Sequence, residues 1–142
     1  MIPKIFTVDE ANDQLPKITK IFDRVFEINR RIKAISSESE IVYYWEEDKN
    51  ILQKKQLEIL YYQVHREINR LMSIGCIVKD IEKGLVDFYY DNEGELIYLC
   101  WRYGEDKISH WHRLTNGFVT RKSINDLIAK EAKIEKRRFK IF

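Results

Sequence analysis

The chain has 142 residues, of which 44% are hydrophobic and 34% charged, and its formal net charge is +2. This length fits a single domain with a hydrophobic core, and the composition excludes a chain that is largely disordered. Because basic and acidic residues nearly balance, net charge alone does not indicate a nucleic-acid-binding protein. We see no signal-peptide pattern and no apolar run of 18 residues, so we expect a cytoplasmic protein without membrane contact.

The first predicted element is a helix that begins near Val8. Thr7 and Glu10 have the spacing of a capping box, in which each side chain accepts a hydrogen bond from the other residue's backbone. Apolar residues then recur at alternating spacings of four and three, with only Asn29 interrupting, which is typical of a helix buried along one face. This stripe consists of Ala11, Leu15, Ile18, Phe22, Val25 and Ile32.

A second long helix is predicted from about residue 40 to residue 74. The segment S-S-E-S-E at 36–40 indicates a turn with Ser37 as the new cap, and Gly75 is placed to end the second helix. Two long helices joined by a short turn must lie antiparallel, so residues 8–74 are predicted to form a helical hairpin. We interpret the aromatic tract at 43–45 as a cap on the hairpin core.

After Gly75 the apolar period changes from 3.6 to 2, which predicts an antiparallel sheet of three or four strands within residues 76–121. The fold class is therefore α+β, with the hairpin packed on this sheet. D-N-E-G at 91–94 is expected to form a four-residue hairpin turn.

Which residues lie on each face of the predicted sheet depends on how neighbouring strands pair. If Tyr90 opposes Glu95 and Tyr103 opposes Ile108, the face toward the hairpin carries Val86, Phe88, Ile97, Leu99, Trp101, Ile108, His110 and His112. The other face then carries Asp87, Tyr98, Cys100, Arg102 and Trp111. A slip of one residue would exchange these assignments.

Ser123 is expected to start a last, basic helix over residues 123–139. Its end interleaves basic and aromatic residues, a pattern suited to phosphate contact and base stacking in RNA. Contact with RNA or the ribosome is one hypothesis, and an ordinary charged terminus is the alternative. The nucleic-acid candidates are Lys133, Lys136, Arg137, Arg138 and Lys140.

Three segments carry a resemblance to a known family. They are F-T-V-D-E-A-N-D-Q-L-P at 6–16, G-C-I-V-K-D-I-E-K-G-L-V-D-F at 75–88 and L-C-W-R-Y-G-E-D-K-I-S-H-W-H-R-L-T-N-G-F-V-T-R at 99–121. Together they resemble the uncharacterised bacterial and archaeal proteins known as domain of unknown function 2203. The resemblance implies no activity. Arg113 and Thr115 stand where relatives tend to carry acidic residues, which weakens any mechanism that needs further carboxylates beside His112.

Charged residues in the predicted sheet are the candidates for a site. Asp87 lies between Val86 and Phe88 and needs a partner if it is buried, either Arg102, Arg121, a backbone donor or a ligand. An internal salt bridge is the commoner outcome. Two guanidinium groups near Glu105 could clamp an anion or neutralise the nearby acids. The ligand-binding candidates are Asp87, Trp101, Arg102, Glu105, His112 and Arg121.

His110 and His112 are weak candidates for a divalent metal, because an H-x-H pair alone is a weak motif. Further ligands would have to come from Asp80, Asp87, Glu105, Cys76 or Cys100, and the spacing selects none of them. No cofactor is predicted. We assign no catalytic residue, since Cys100 lies in an apolar run and Ser109 and His110 would point to opposite faces of a strand.

Three hypotheses for function follow. The first is a non-enzymatic interaction module that assembles with itself or a protein partner through the hairpin, whose first helix carries a broad apolar stripe. The second is a small-ligand or metal site on the sheet with hydrolase-type activity. The third is binding to RNA or the ribosome.

Overall fold

The fold of the computed structural model is α+β, as the sequence predicts. The structure describes residues 4–42, 47–115, 117 and 120–141, and the side chains of residues 37–42, 47–50 and 137–141 are not described. The helices are α1 (Val8–Val42), α2 (Glu47–Ile74) and α3 (Asn125–Ile141). The strands are β1 (Ile77–Asp80), β2 (Leu85–Asn92), β3 (Glu95–Arg102), β4 (His110–Arg113) and β5 (Lys122–Ser123).

The described strands form an antiparallel sheet in the order β1-β2-β3-β4-β5. The sheet therefore has five strands, where the sequence predicted three or four. The fifth strand is the two-residue β5, which pairs with β4 through His110–Ser123 and Trp111–Lys122. A strand this short has no periodicity of its own, so the sequence pattern could not reveal it.

The start of α1 confirms the predicted cap. The backbone N–H of Glu10 donates to Thr7 Oγ1 at 3.1 Å, and that of Thr7 donates to Glu10 Oε1 at 3.3 Å. The predicted turn at 36–40 is wrong, because α1 continues as helix to Val42. Serine and glutamate are tolerated inside helices, so capping-box spacing without Gly or Pro does not end one. The aromatic tract at 43–45 lies outside the described residues.

Helix α1 packs across one face of the sheet, which we call the core face. The ring of Phe6, just before α1, contacts Phe88 edge to face with centroids 5.0 Å apart, and the Phe22 ring within α1 lies 6.3 Å from the Trp101 ring. Helix α2 packs on α1 and ends at Ile74, and Gly75 follows it with a φ of 104°, which confirms its predicted role in ending the helix. The core face of the sheet consists of Val86, Phe88, Tyr90, Ile97, Leu99, Trp101 and Trp111.

The β2–β3 turn is shorter than predicted, but the predicted faces hold. Asn92 opposes Glu95, so only Glu93 and Gly94 form the turn, both with positive φ (54° and 94°). These angles suit the two-residue turns that match the twist of paired strands. Tyr90 opposes Ile97 rather than Glu95, and this shift of two residues leaves every side chain on its predicted face.

The predicted β3–β4 register is wrong by one residue, so it reverses the faces of β4. Cys100 opposes His110 and Tyr98 opposes His112. Both histidines therefore lie on the face of the sheet opposite the core face, and Trp111 points into the core. The loop at 103–109 causes this difference in register. Tyr103 does not pair with Ile108, because the Tyr103 N–H donates to the Gly84 carbonyl oxygen at 2.8 Å.

Gly84 is the glycine where a side chain is expected to cost most. Its φ is +71°, and an added Cβ would lie 2.5 Å from the Cβ of Tyr103, whereas Gly94, also at positive φ, faces open space. We expect Gly94→Ala to lower the free energy of unfolding by about 1–2 kcal/mol through backbone strain alone. Gly84→Ala should lose about 1–3 kcal/mol more because of the steric clash. Urea unfolding of both variants checks this, and equal losses would contradict it.

Candidate functional site

The candidate site lies on the face of the sheet that points away from α1, which we call the polar face. Cross-strand partners in a sheet share a face. Asp87 opposes Cys100, which opposes His110, and Tyr89 opposes Tyr98, which opposes His112. The polar face therefore carries Asp87, Tyr89, Tyr98, Cys100, His110 and His112.

Three of these side chains form a buried group, which we call the Asp–Cys–His cluster. Asp87 and Cys100 are each 2% exposed and His112 is 3% exposed. One nitrogen, sulfur or oxygen atom from each side chain lies within 4.8 Å of the other two. Aspartate, cysteine and histidine side chains can each ligate a metal, so the Asp–Cys–His cluster is the place where the described residues could hold an ion.

The hydrogen bonds of His112 fix the protons of the cluster. Its Nδ1 lies 2.9 Å from the carbonyl oxygen of Arg113, which only accepts, so Nδ1 carries a proton and donates it. Its Nε2 lies 3.1 Å from Asp87 Oδ2. A carboxylate facing a bare ring nitrogen would be repelled, so one proton lies between these two atoms. The Asp87–His112 pair is neutral overall, which suits its burial.

Burial also raises the pKa of both acidic groups in the cluster. For Asp87, desolvation raises the carboxyl pKa, and the nearby charges of His112 and Lys79 oppose the shift. For Cys100, desolvation and the Asp87 carboxylate raise the thiol pKa to about 12. Without a metal, Cys100 is a protonated thiol at neutral pH.

A second group of polar residues lies beside the cluster. Arg121 Nη2 donates to Glu105 Oε1 at 3.0 Å and to Glu105 Oε2 at 2.8 Å. The same nitrogen lies 2.8 Å from His110 Nδ1. Because a guanidinium group only donates, His110 Nδ1 accepts and carries no proton. Arg121 therefore neutralises Glu105, one of the two alternatives that the sequence left open.

Ser109 and His110 do not form a nucleophile and a free base. Ser109 Oγ lies 2.8 Å from His110 Nδ1 and 3.3 Å from Glu105 Oε2. The lone pair of His110 Nδ1 already accepts from Arg121, so it is not free to take the serine proton. This contact nevertheless differs from the prediction, since Ser109 precedes β4 and is not bound by strand alternation.

Aromatic rings flank the Asp–Cys–His cluster. The rings of Tyr89 and Tyr98 have centroids 5.2 Å apart, and Tyr98 lies 5.3 Å from the His112 ring. The Lys79 ammonium lies 4.4 Å from the centroid of Tyr98, a cation–π distance. These rings hold the His112 imidazole in place and shield its pair with Asp87 from water.

The six predicted ligand-binding residues fall into different environments. Asp87 and His112 belong to the cluster, while Glu105 and Arg121 pair with each other. Trp101 lies in the core, where its Nε1 donates to the Glu105 carbonyl at 2.9 Å. The Arg102 side chain is exposed, and its backbone N–H donates to Glu105 Oε1 at 2.7 Å. Glu105 thus contacts three of the other five predicted residues, namely Trp101, Arg102 and Arg121.

Sequence reasoning missed two features of the site. It proposed arginine, a backbone donor or a ligand as the partner of Asp87, whereas the structure shows His112. It also did not select Cys100 as the third member of the cluster. The available signal was alternation along β2, β3 and β4, but this signal needed the correct β4 register. His110, the other predicted metal candidate, is not part of the cluster.

The predicted nucleic-acid residues lie on α3. Lys133 and Lys136 are exposed there, so they are accessible to solvent. The helix continues to Ile141, but the side chains of Arg137, Arg138 and Lys140 lie outside the described residues. Contact with RNA or the ribosome stays a prediction. Among the described residues, none of the helices combines the length and apolar character needed to cross a bilayer.

Comparison with known proteins identifies a family without an assigned activity. A family model described as "Uncharacterized conserved protein (DUF2203)" matches residues 4–124. The match includes α1, α2 and the five strands, and therefore both polar groups of the sheet. Comparisons with curated proteins and with solved structures gave no match.

Proposed function

The chain belongs to the DUF2203 family of uncharacterised conserved proteins, as its sequence resemblance indicated, and since this description assigns no activity, we propose a function from its surface. The protein is a non-enzymatic module that self-associates through its helical hairpin. The observation that supports this proposal is a stripe of exposed apolar side chains on α2. The stripe, which we call the α2 patch, consists of Ile51, Leu52, Ile59 and Tyr62.

The α2 patch lies on one side of the helix, with the exposed Lys55 and Glu58 between its two halves. Its four side chains are between 53% and 64% exposed. Ile59 and Tyr62 follow Ile51 by 8 and 11 residues, close to two and three helical turns, so the residues lie along one side of α2. Single exposed apolar residues are common, so the support for an interaction surface is that four of them share one side of a single helix.

Within the part of the chain that the structure describes, intramolecular packing does not use this side of α2. Leu60 and Leu71 are buried, and they lie on the opposite side of the helix from Ile51 and Tyr62 at 100° per residue. The patch therefore points away from the packed interior. A partner must cover it if it is to leave water.

A second copy of the chain fits this surface best. Ile59 also lines a groove of about 430 Å³ between α1 and α2, together with Ala34, Ile35 and Leu60. One surface thus carries both protruding side chains and a groove beside them. A two-fold symmetric contact requires such self-complementarity, because each copy contributes the same patch. Two hairpins joined in this way form an antiparallel four-helix bundle.

The two polar groups on the sheet support a non-enzymatic role. Asp87 pairs with His112, Glu105 pairs with Arg121, and each acid is thereby neutralised within the protein. The chain's two cysteines are free and buried, which supports our proposal of a cytoplasmic location.

Sedimentation equilibrium over a wide concentration range tests self-association. We expect wild-type protein to form dimers, and Ile59→Lys to raise the dissociation constant at least 100-fold. Each dimer loses two buried isoleucines, worth about 1.5–3 kcal/mol each, and gains two buried charges. Circular dichroism checks that the variant is folded.

Met72→Lys is the matched control for Ile59→Lys. Met72 is 62% exposed on the same helix, but it lies outside the α2 patch. Met72→Lys should leave the dissociation constant within about threefold of wild type, in line with the small effects of most surface substitutions. A strictly monomeric wild-type protein at high concentration would overturn the proposal, as would equal weakening by both variants.

A further inference from the structure

The Asp–Cys–His cluster has the composition and placement of a metal site. Its members come from the three neighbouring strands β2, β3 and β4, and their potential ligand atoms all lie within 4.8 Å of one another. We propose that Asp87, Cys100 and His112 bind one divalent transition-metal ion of the zinc class. This site is independent of the α2 patch and of self-association.

The orientation of His112 supports the proposal. A metal-ligating histidine usually donates its other ring N–H to a carboxylate or a backbone carbonyl, which fixes the tautomer and the direction of the lone pair. His112 Nδ1 donates in this way to the carbonyl of Arg113 at 2.9 Å. Its Nε2 is thereby directed at Asp87, 3.1 Å from Oδ2. The second ring nitrogen is therefore in place before any ion binds.

The donor set selects the class of metal. Thiolate and imidazole ligands suit zinc and similar borderline-soft ions, whereas magnesium and calcium prefer oxygen ligands alone. A divalent ion bound by ionised Asp87, ionised Cys100 and neutral His112 gives a site with no net charge, which suits its burial. The ion replaces two protons, one from the Cys100 thiol and one shared by Asp87 and His112.

Three protein ligands leave one position of a tetrahedral ion for a water molecule or another small ligand. Because the ligands belong to three different strands, the ion would join β2, β3 and β4 at one point. Metal binding is therefore expected to raise the thermal unfolding temperature, since an ion that binds only the folded state stabilises it.

Cobalt(II) titration of the reduced, chelator-treated full chain tests the proposal. We expect saturation at one equivalent per chain, with a thiolate-to-cobalt charge-transfer band and the intense visible absorption of tetrahedral cobalt. One equivalent of zinc should abolish both signals, whereas excess magnesium should leave them unchanged. Failure to saturate at one equivalent, or a spectrum without the charge-transfer band, would overturn the proposal.

The two cysteines provide a matched control. Cys76 is free and buried like Cys100 but lies outside the cluster, with its Sγ 3.2 Å from the Leu71 carbonyl. Cys76→Ser should keep the charge-transfer band, and Cys100→Ser should lose it and bind cobalt at least 100-fold more weakly. Loss of the band in Cys76→Ser with retention in Cys100→Ser would refute the assignment.

A measurement on wild-type protein covers the case in which Cys100→Ser does not fold. Zinc should slow alkylation of Cys100 at least tenfold more than alkylation of Cys76, as read by mass spectrometry of the peptides. General stabilisation of the fold would protect both thiols alike. Equal protection, or protection of neither thiol, would show that Cys100 does not bind the ion.

Discussion

Replacing His112 with alanine is expected to lower the free energy of unfolding of the metal-free protein by about 3–5 kcal/mol, the usual cost of removing one partner from a buried pair of ionisable groups. His112 is 3% exposed, and its Nε2 lies 3.1 Å from Asp87 Oδ2. Its loss leaves the Asp87 carboxyl buried without its partner and opens a cavity beside Tyr98. Urea unfolding at neutral pH in the presence of a chelator measures the change.

His110→Ala is the control, because it removes the same side chain from the same strand. The His110 side chain is 38% exposed and lies at the edge of the Glu105–Arg121 pair. We expect a loss below about 1 kcal/mol, as for other exposed polar contacts. A double-mutant cycle with Asp87→Ala should show coupling of about 0.5–3 kcal/mol for His112. If both alanine variants lose the same stability, the buried pair is not the source.

The order and type of the helices and strands were predictable because they depend on local sequence patterns. The Thr7–Glu10 box and the apolar stripe of α1 are readable within a few turns of helix, and Gly75 marks where the period changes. The faces of β2 and β3 were also predictable, since alternation survives a register shift of two residues. The end of α1 was not predictable, because the polar segment at 36–40 is compatible with both a turn and a helix.

The candidate site was less predictable than the fold. The individual residues Asp87, His112, Glu105 and Arg121 stood out as charged or titratable groups among apolar ones. Which of them pair depends on the register of β4. A loop fixes that register, and the Glu105 side chain holds the loop through the Arg102 N–H and the Arg121 guanidinium. Contacts between residues 16 apart leave no trace in a local pattern.

The position of Trp101 shows the same limit. Its place in a charged tract suggested a ligand contact, yet strand alternation had already assigned it to the core face. Burial decides between these interpretations, because a tryptophan that is 1% exposed cannot present its ring to a ligand in solvent. Trp101 nevertheless contacts the Glu105–Arg121 group, because its indole N–H donates to the backbone carbonyl of Glu105.

Trp101→Ala is accordingly expected to lower the free energy of unfolding by about 3–5 kcal/mol, the range for removing a large buried aromatic side chain. The substitution removes ring contacts with Phe22 at 6.3 Å and Tyr103 at 6.4 Å, and the hydrogen bond to Glu105 O. Trp101→Phe keeps much of the ring packing but loses the N–H donor, so it should cost distinctly less. Urea unfolding of both variants measures this order. A loss below about 1 kcal/mol for Trp101→Ala would mean that Trp101 does not support the core between α1 and the sheet.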